Sequence, residues 1–202
     1  MQNHVALITG GGRGIGAATA EALARRGAWV IVASRTAAEL DATVASLQAA
    51  GLNASALVLD VADAAAVEAA FAVVLAQFGR LDILVNNAAI LRSGAFADMA
   101  LADWDQVLAV NLRGAMLCAR QAFQRMRERG GTIVNVSSLG GVAGTEKFPG
   151  YAAYTVSKFA LTGLTEVLAA EGKACGIRVN AVAPGAVDTT MLRQAAPHLR
   201  TR

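Results

Sequence analysis

Val5-Ala6-Leu7-Ile8-Thr9 passes directly into Gly10-Gly11-Gly12-Arg13-Gly14-Ile15-Gly16, and the residues from Ala17 to Arg26 then have helical composition up to Gly27. A short apolar run rich in β-branched residues suits a strand buried on both faces. Glycines suit a tight turn where the backbone comes close to a ligand. Strand, glycine-rich turn and helix together make the first half of a dinucleotide site. Missing Cβ atoms admit the pyrophosphate, and the helix N-terminus offers N–H groups and the positive end of its dipole. A glycine-rich turn alone serves any sharp bend. Its place between a strand and a helix at the start of the chain gives it the more specific reading.

Outward from this stretch the pattern alternates. Apolar runs predict strands at 5–9, 28–34, 54–60, 81–86, 131–137 and 177–183. Helical composition predicts helices at 14–26, 36–50, 63–78, 102–128 and 151–175. Alternation on this scale predicts an α/β fold of right-handed βαβ units, with a parallel sheet covered on both faces. A length of 202 residues fits one such domain, 1–202, with no linker or repeat. The 55% apolar content is dominated by alanine, and no uninterrupted apolar run approaches the ~20 residues of a membrane span. The first strand begins too early to leave room for a signal peptide. Cys118 and Cys175 show neither paired nor metal-ligand spacing, which suits a reducing cytosol and predicts no metal site. A net charge of +3 is too mild to imply nucleic acid. Arg120, Arg125, Arg127 and Arg129 read as a solvated helix end, where cations also suit the dipole.

The second chemical signal is Tyr154-Thr155-Val156-Ser157-Lys158. Spacing of four residues on a helix puts phenol and ammonium on one face. A neighbouring ammonium favours phenolate, which would bring a group titrating near ~10 toward neutrality as a proton donor and acceptor. An amphipathic helix that merely carries both residues is the plainer reading.

Five motifs in order carry a family resemblance: the Thr9–Gly16 turn, Asp60-Val61, Asn86-Asn87-Ala88-Ala89, Ser138 with Tyr154 and Lys158, and Pro184-Gly185-Ala186-Val187-Asp188-Thr189. Across its whole length the chain resembles the short-chain dehydrogenase/reductases, in the single-domain branch that includes 3-oxoacyl-carrier-protein reductases. The resemblance implies a doubly wound Rossmann sheet of order 3-2-1-4-5-6, with NAD(P) across the carboxyl ends of its strands. It implies reversible hydride transfer between nicotinamide and a ketone or secondary alcohol, with a 3-oxoacyl thioester among the candidate substrates. Tyr154 would protonate the developing alkoxide, and Lys158 would lower the Tyr154 pKa and bind the nicotinamide ribose. Ser138 would donate to the carbonyl oxygen. Asn111 is either a packing element or the residue that orders a relay water. The implied cofactor contacts are Gly10, Arg13, Gly14, Ile15, Gly16, Ser34, Arg35, Asp60, Val61, Asn87, Ala88, Ala89, Tyr154, Lys158, Pro184, Gly185, Val187 and Thr189. Ala89 stands where the family has glycine.

Three residue-level readings sharpen these expectations. Where an NAD enzyme offers a carboxylate to the ribose, this chain offers Ser34-Arg35-Thr36, with no acid before Glu39. Arg35, with Arg13 inside the glycine turn, suits a 2′-phosphate and so favours NADP(H) over NAD(H). Asp63 is the better N-cap for the third helix, which leaves Asp60 freer to meet a ligand. The family's usual interval from Ser138 reaches Tyr151, but only Tyr154 has a lysine four residues on. A loop lengthened by three residues, Thr145-Glu146-Lys147, reconciles the two and leaves Tyr151 lining the substrate side.

The resemblance also implies a lid, a helix and a seventh strand beyond the Pro-Gly segment, so the sequence reads as ending at Arg202 within the lid. Two functional classes stay open: a cytoplasmic carbonyl reductase or alcohol dehydrogenase with a small-molecule substrate, and a nucleotide-binding or interaction protein of the same fold without turnover. Long, small-residue-faced helices at 102–128 and 151–175 predict a homodimer across a twofold axis, and a tetramer in a longer form.

Overall fold

A computed structural model describes residues 1–195. Six parallel strands form one sheet in the order β3-β2-β1-β4-β5-β6. They are β1 (Val5–Thr9), β2 (Trp29–Ser34), β3 (Ala54–Val58), β4 (Ile83–Asn86), β5 (Gly131–Val136) and β6 (Ile177–Val182). The helices between them are α1 (Gly14–Ala24), α2 (Ala37–Ala49), α3 (Ala64–Phe78), α4 (Leu101–Leu108), α5 (Ala115–Met126) and α6 (Ala152–Gly172), with a short α7 (Thr190–Ala195) after β6.

The strands read as continuous apolar runs because both faces of the sheet are covered. Along β1 the side chains alternate between two cores. Val5 and Leu7 join Phe71, Val74, Leu84, Met126 and Ile133 beneath α3 and α5. Ala6 and Ile8 join Ala20, Val30, Val32, Leu40 and Leu47 beneath α1 and α2. The strand order reverses between β1 and β4, where the crossovers leave in opposite directions and a cleft opens at the carboxyl ends.

Several expected boundaries shift. The predicted helix over 102–128 is interrupted: α4 and α5 are joined by a π-helical turn, Ala109–Gly114. Asp60 and Val61 lie beyond the end of β3 rather than within it. Helix α7 was not expected; the Thr189 hydroxyl accepts from Leu192 N at 3.2 Å and caps it. The end of the expected lid, residues 196–202, lies outside the described residues.

Candidate active site

The glycine turn is built by close approach. Gly10 has φ +64°, and a Cβ there would lie 2.8 Å from Asn87 Nδ2. At Gly16 a Cβ would lie 2.2 Å from the Gly10 carbonyl oxygen. Neither position accepts a side chain without moving backbone. The same asparagine stitches the turn to β4, its Nδ2 donating to Thr9 O and Gly10 O, both at 3.0 Å. Thr9 Oγ1 in turn accepts from the Asn87 and Ala88 amides. Asn86 points the other way and donates to Asn135 Oδ1 on β5 at 2.9 Å. Residues of the Asn-Asn-Ala-Ala motif therefore lock three strand ends together. Arg13, at the N-cap of α1, makes no side-chain cap bond, so its own side chain leaves the first-turn amides open. Such a turn is the cradle a pyrophosphate requires, and the observed crowding fits a dinucleotide there.

A cleft runs outward from this cradle. Gly10, Arg13, Gly14, Ile15, Ser34, Arg35, Asp60, Val61, Asn87, Ala88, Ala89 and Thr189 line it. Gly16 lies beneath the turn instead, and Tyr154, Lys158, Pro184, Gly185 and Val187 do not line this cleft. The Pro184 carbonyl accepts from Leu139 N at 3.1 Å, tying that segment to the loop after β5. The Thr189 hydroxyl accepts from Leu192 N in capping α7, which leaves its own hydrogen to donate.

One end of the cleft is a charged cluster. Arg13 pairs with Glu39 at 2.9 Å, and Arg35 lies 4.0 Å from Asp60. Asp63 caps α3 as expected, accepting from Ala65 N and Ala66 N. Asp60 is less free than expected, because it also accepts from Ala62 N at 3.0 Å. Glu39, read in the sequence only as the first acid after Arg35, lines this end of the cleft as well. Thr36 and Glu39 have the spacing of a capping box, which would have put Glu39 in the first turn of α2 and at the cleft. Thr36 makes no side-chain cap bond, and Glu39 turns to Arg13 instead.

The proton-handling group sits on β5 and α6. The two serines at the end of β5 diverge. Ser137 donates into α6, to Lys158 O at 3.1 Å. Ser138 faces outward, caps the 3-10 turn Leu139–Gly141 by accepting from Gly140 N at 3.1 Å, and its hydroxyl pulls the pKa of the Tyr154 phenol down. Tyr151 stands at the N-cap of α6 with its hydroxyl donating to Ala195 O at 2.7 Å, away from that group. Lys158 is 2% exposed; its Nζ donates to Val136 O at 2.6 Å and lies 5.7 Å from the centroid of the Tyr154 ring. Two N–H groups of the ammonium remain for a ligand.

The electrostatics differ from the expectation that Lys158 lowers the phenol. Burial pushes Tyr154 up from 10.0, against a smaller downward pull from the Ser138 hydrogen bond. Burial also brings Lys158 down from 10.5 to about 8. Desolvation sets both directions in the protein alone, and the downward pull on Tyr154 comes from Ser138. Asn111, 1% exposed in the π turn, accepts from Ile90 N at 2.8 Å through Oδ1 and donates through Nδ2 to Ile90 O and Ser157 Oγ. Its side-chain N–H groups are both committed, and together these bonds pin Ile90 to the cleft wall. π turns recur at functional sites for this reason: one extra residue re-aims a side chain.

Fold, cradle and proton-handling group together define a dinucleotide-dependent oxidoreductase. The family model described as short chain dehydrogenase matches residues 4–200, and the chain belongs to that family. Its members act on CH–OH groups with NAD(P). The chain is 45% identical over 199 residues to the short-chain reductase protein NovJ of Streptomyces niveus, covering 98% of this chain and 74% of that one. It is 42% identical to a 3-oxoacyl-[acyl-carrier-protein] reductase of Synechocystis, covering 93% and 76%. A crystal structure of a putative short-chain alcohol dehydrogenase from Sinorhizobium meliloti 1021 superposes with a TM-score of 0.91 at 40% identity, covering 98% and 78%. Among the described residues no helix is long and apolar enough to cross a membrane, and no three His, Cys, Asp or Glu side chains cluster as metal ligands.

Proposed function

We propose that the chain is an NADP(H)-dependent oxidoreductase that interconverts a ketone and a secondary alcohol. The observation that carries this reading is the grouping of Tyr154, Ser138 and the buried Lys158 at one end of the strands. When bound, NADP(H) supplies or accepts the hydride. The chain's own residues hold the carbonyl and move the proton. Ser138 accepts from Gly140 N through its oxygen, and its hydroxyl hydrogen, directed toward the Tyr154 phenol in the protein alone, would turn to the carbonyl oxygen as charge develops there. Tyr154, a phenol that is protonated at neutral pH even at its ordinary pKa, gives that oxygen its proton. Lys158 keeps two N–H groups for the nicotinamide ribose, and its positive charge favours the phenolate left behind. The 3-oxoacyl reductase relatives support a 3-oxoacyl thioester as one substrate to test.

Ser34, Arg13 and Arg35 at the charged end of the cleft support NADP(H) over NAD(H). Both arginines are more than half exposed and paired only at the surface, so their carboxylate partners exchange readily for a phosphate. NADPH is expected to bind at least ~tenfold more tightly than NADH, one decade being about 1.4 kcal/mol, within reach of one charge-assisted contact. Arg35→Asp should reverse much of that preference. Equal affinities by calorimetry in the unmodified chain would remove the argument.

The exposed Val156, Phe159 and Val167 on α6 support pairing of this helix with its copy in a homodimer. Light scattering that gave a monomer mass would contradict it.

A further inference from the structure

The geometry points to Thr145 and Lys147 as positioning residues for Ser138: together they clamp the carbonyls of the turn that Ser138 caps. The inference rests on the reading of Ser138 as the donor to the carbonyl oxygen.

The 3-10 turn Leu139–Gly141 is a single short bend that packs on α6, with Leu139 N donating to Pro184 O at 3.1 Å. On its inner side Gly141 abuts α6; a Cβ there would lie 2.6 Å from Lys158 O and 2.7 Å from Ser137 Oγ. On its other side the carbonyls of Leu139, within the turn, and Val142, just past it, meet the loop that follows. Thr145 Oγ1 lies 2.6 Å from Leu139 O and 3.0 Å from Val142 O. Lys147 Nζ donates to Val142 O at 2.6 Å and reaches Leu139 O at 3.4 Å and the Thr145 hydroxyl. An ammonium has three N–H groups, and here each has one oxygen to meet. The Phe159 ring, 4.9 Å from Nζ, covers the charge from the α6 side.

This arrangement explains why Thr145 and Lys147, in the stretch that lengthens the loop, are a hydroxyl and a cation. The added length would otherwise leave a slack loop beside Ser138. The clamp presses the turn against α6, which fixes the Gly140 amide that holds Ser138 Oγ. A donor displaced by 1 Å loses much of its effect on a developing oxyanion.

Two readouts test the clamp in the full chain. In amide hydrogen exchange without cofactor, Lys147→Met should speed exchange at Gly140 by about tenfold, an estimate that takes the released turn to open locally, while Lys147→Arg stays near native. In steady-state NADPH oxidation with acetoacetyl-coenzyme A, ethyl acetoacetate or cyclohexanone, Lys147→Met should lower kcat by about tenfold and leave NADPH affinity unchanged. The same substitution in a Ser138→Ala background should cost nothing further, because the group being positioned is gone. Unchanged exchange at Gly140, or an equal kcat loss with and without Ser138, would overturn the clamp alone. Native turnover in Ser138→Ala by itself would overturn the reading of Ser138 and, with it, the purpose of the clamp.

Discussion

Tyr154→Phe is expected to reduce turnover by about a thousandfold while NADPH affinity changes less than twofold. Proton transfer by a positioned side chain contributes roughly 10²–10⁴-fold, and removing a single hydroxyl deletes that contribution without leaving a cavity. The ring stays in place because Tyr154 sits within α6 and packs near Lys158 Nζ. Tyr151→Phe should behave differently. Its hydroxyl holds Ala195 O at the end of α7, so its loss loosens the α7 side of the site and raises KM more than it lowers kcat. Steady-state kinetics on both variants separate the roles. The opposite assignment would follow if Tyr151→Phe lost turnover and Tyr154→Phe kept it.

Lys158→Met is expected to abolish turnover and yet to make the folded chain more stable at pH 7. The lysine is held down from 10.5 to about 8 by burial. Its folded pKa lies below its unfolded value, so between about pH 8 and 10.5 the unfolded chain carries more protons. Stability therefore rises with pH across that window, and the cost of the buried ammonium is fully present below it. That cost is about 3 kcal/mol. Methionine removes it and leaves Val136 O without its donor, an offset of about 1–3 kcal/mol. A net gain of about 1 kcal/mol is expected in thermal unfolding at pH 7, shrinking by pH 10. A lower midpoint for Lys158→Met at pH 7 would contradict the account of a group held charged at a cost for its function.

These two side chains were legible in the sequence because a helix converts spacing into proximity, and the lysine four residues on chose Tyr154 over Tyr151. The strands and the glycine turn were legible for a similar reason, since burial on both faces and close backbone approach leave local signatures. What the sequence concealed depends on contacts between distant segments. The π turn at Ala109–Gly114 accompanies the bonds of Asn111 to Ile90, a partner 21 residues away, and helical periodicity across 102–128 carries no sign of it. Helix α7 depends on a cap from Thr189, at the end of the Pro-Gly motif and where the resemblance implied a lid. Glu39 reaches Arg13 across 26 residues, so its neutralising role in the charged end of the cleft is visible only once β1 and β2 pair. The direction of the Tyr154 shift failed because a charge four residues away is easy to read, whereas the depth of burial is set by the whole fold.

The central claim, that Tyr154, Ser138 and Lys158 serve carbonyl reduction with NADPH, is tested most directly by following NADPH absorbance with the native chain. A panel of 3-oxoacyl thioesters, sugars, steroids and small ketones covers the credible substrate classes. The account predicts substrate-dependent loss of NADPH with at least one class, and no such loss in Tyr154→Phe. Tight NADPH binding without consumption across the whole panel would contradict it and favour a nucleotide-binding protein that no longer turns over.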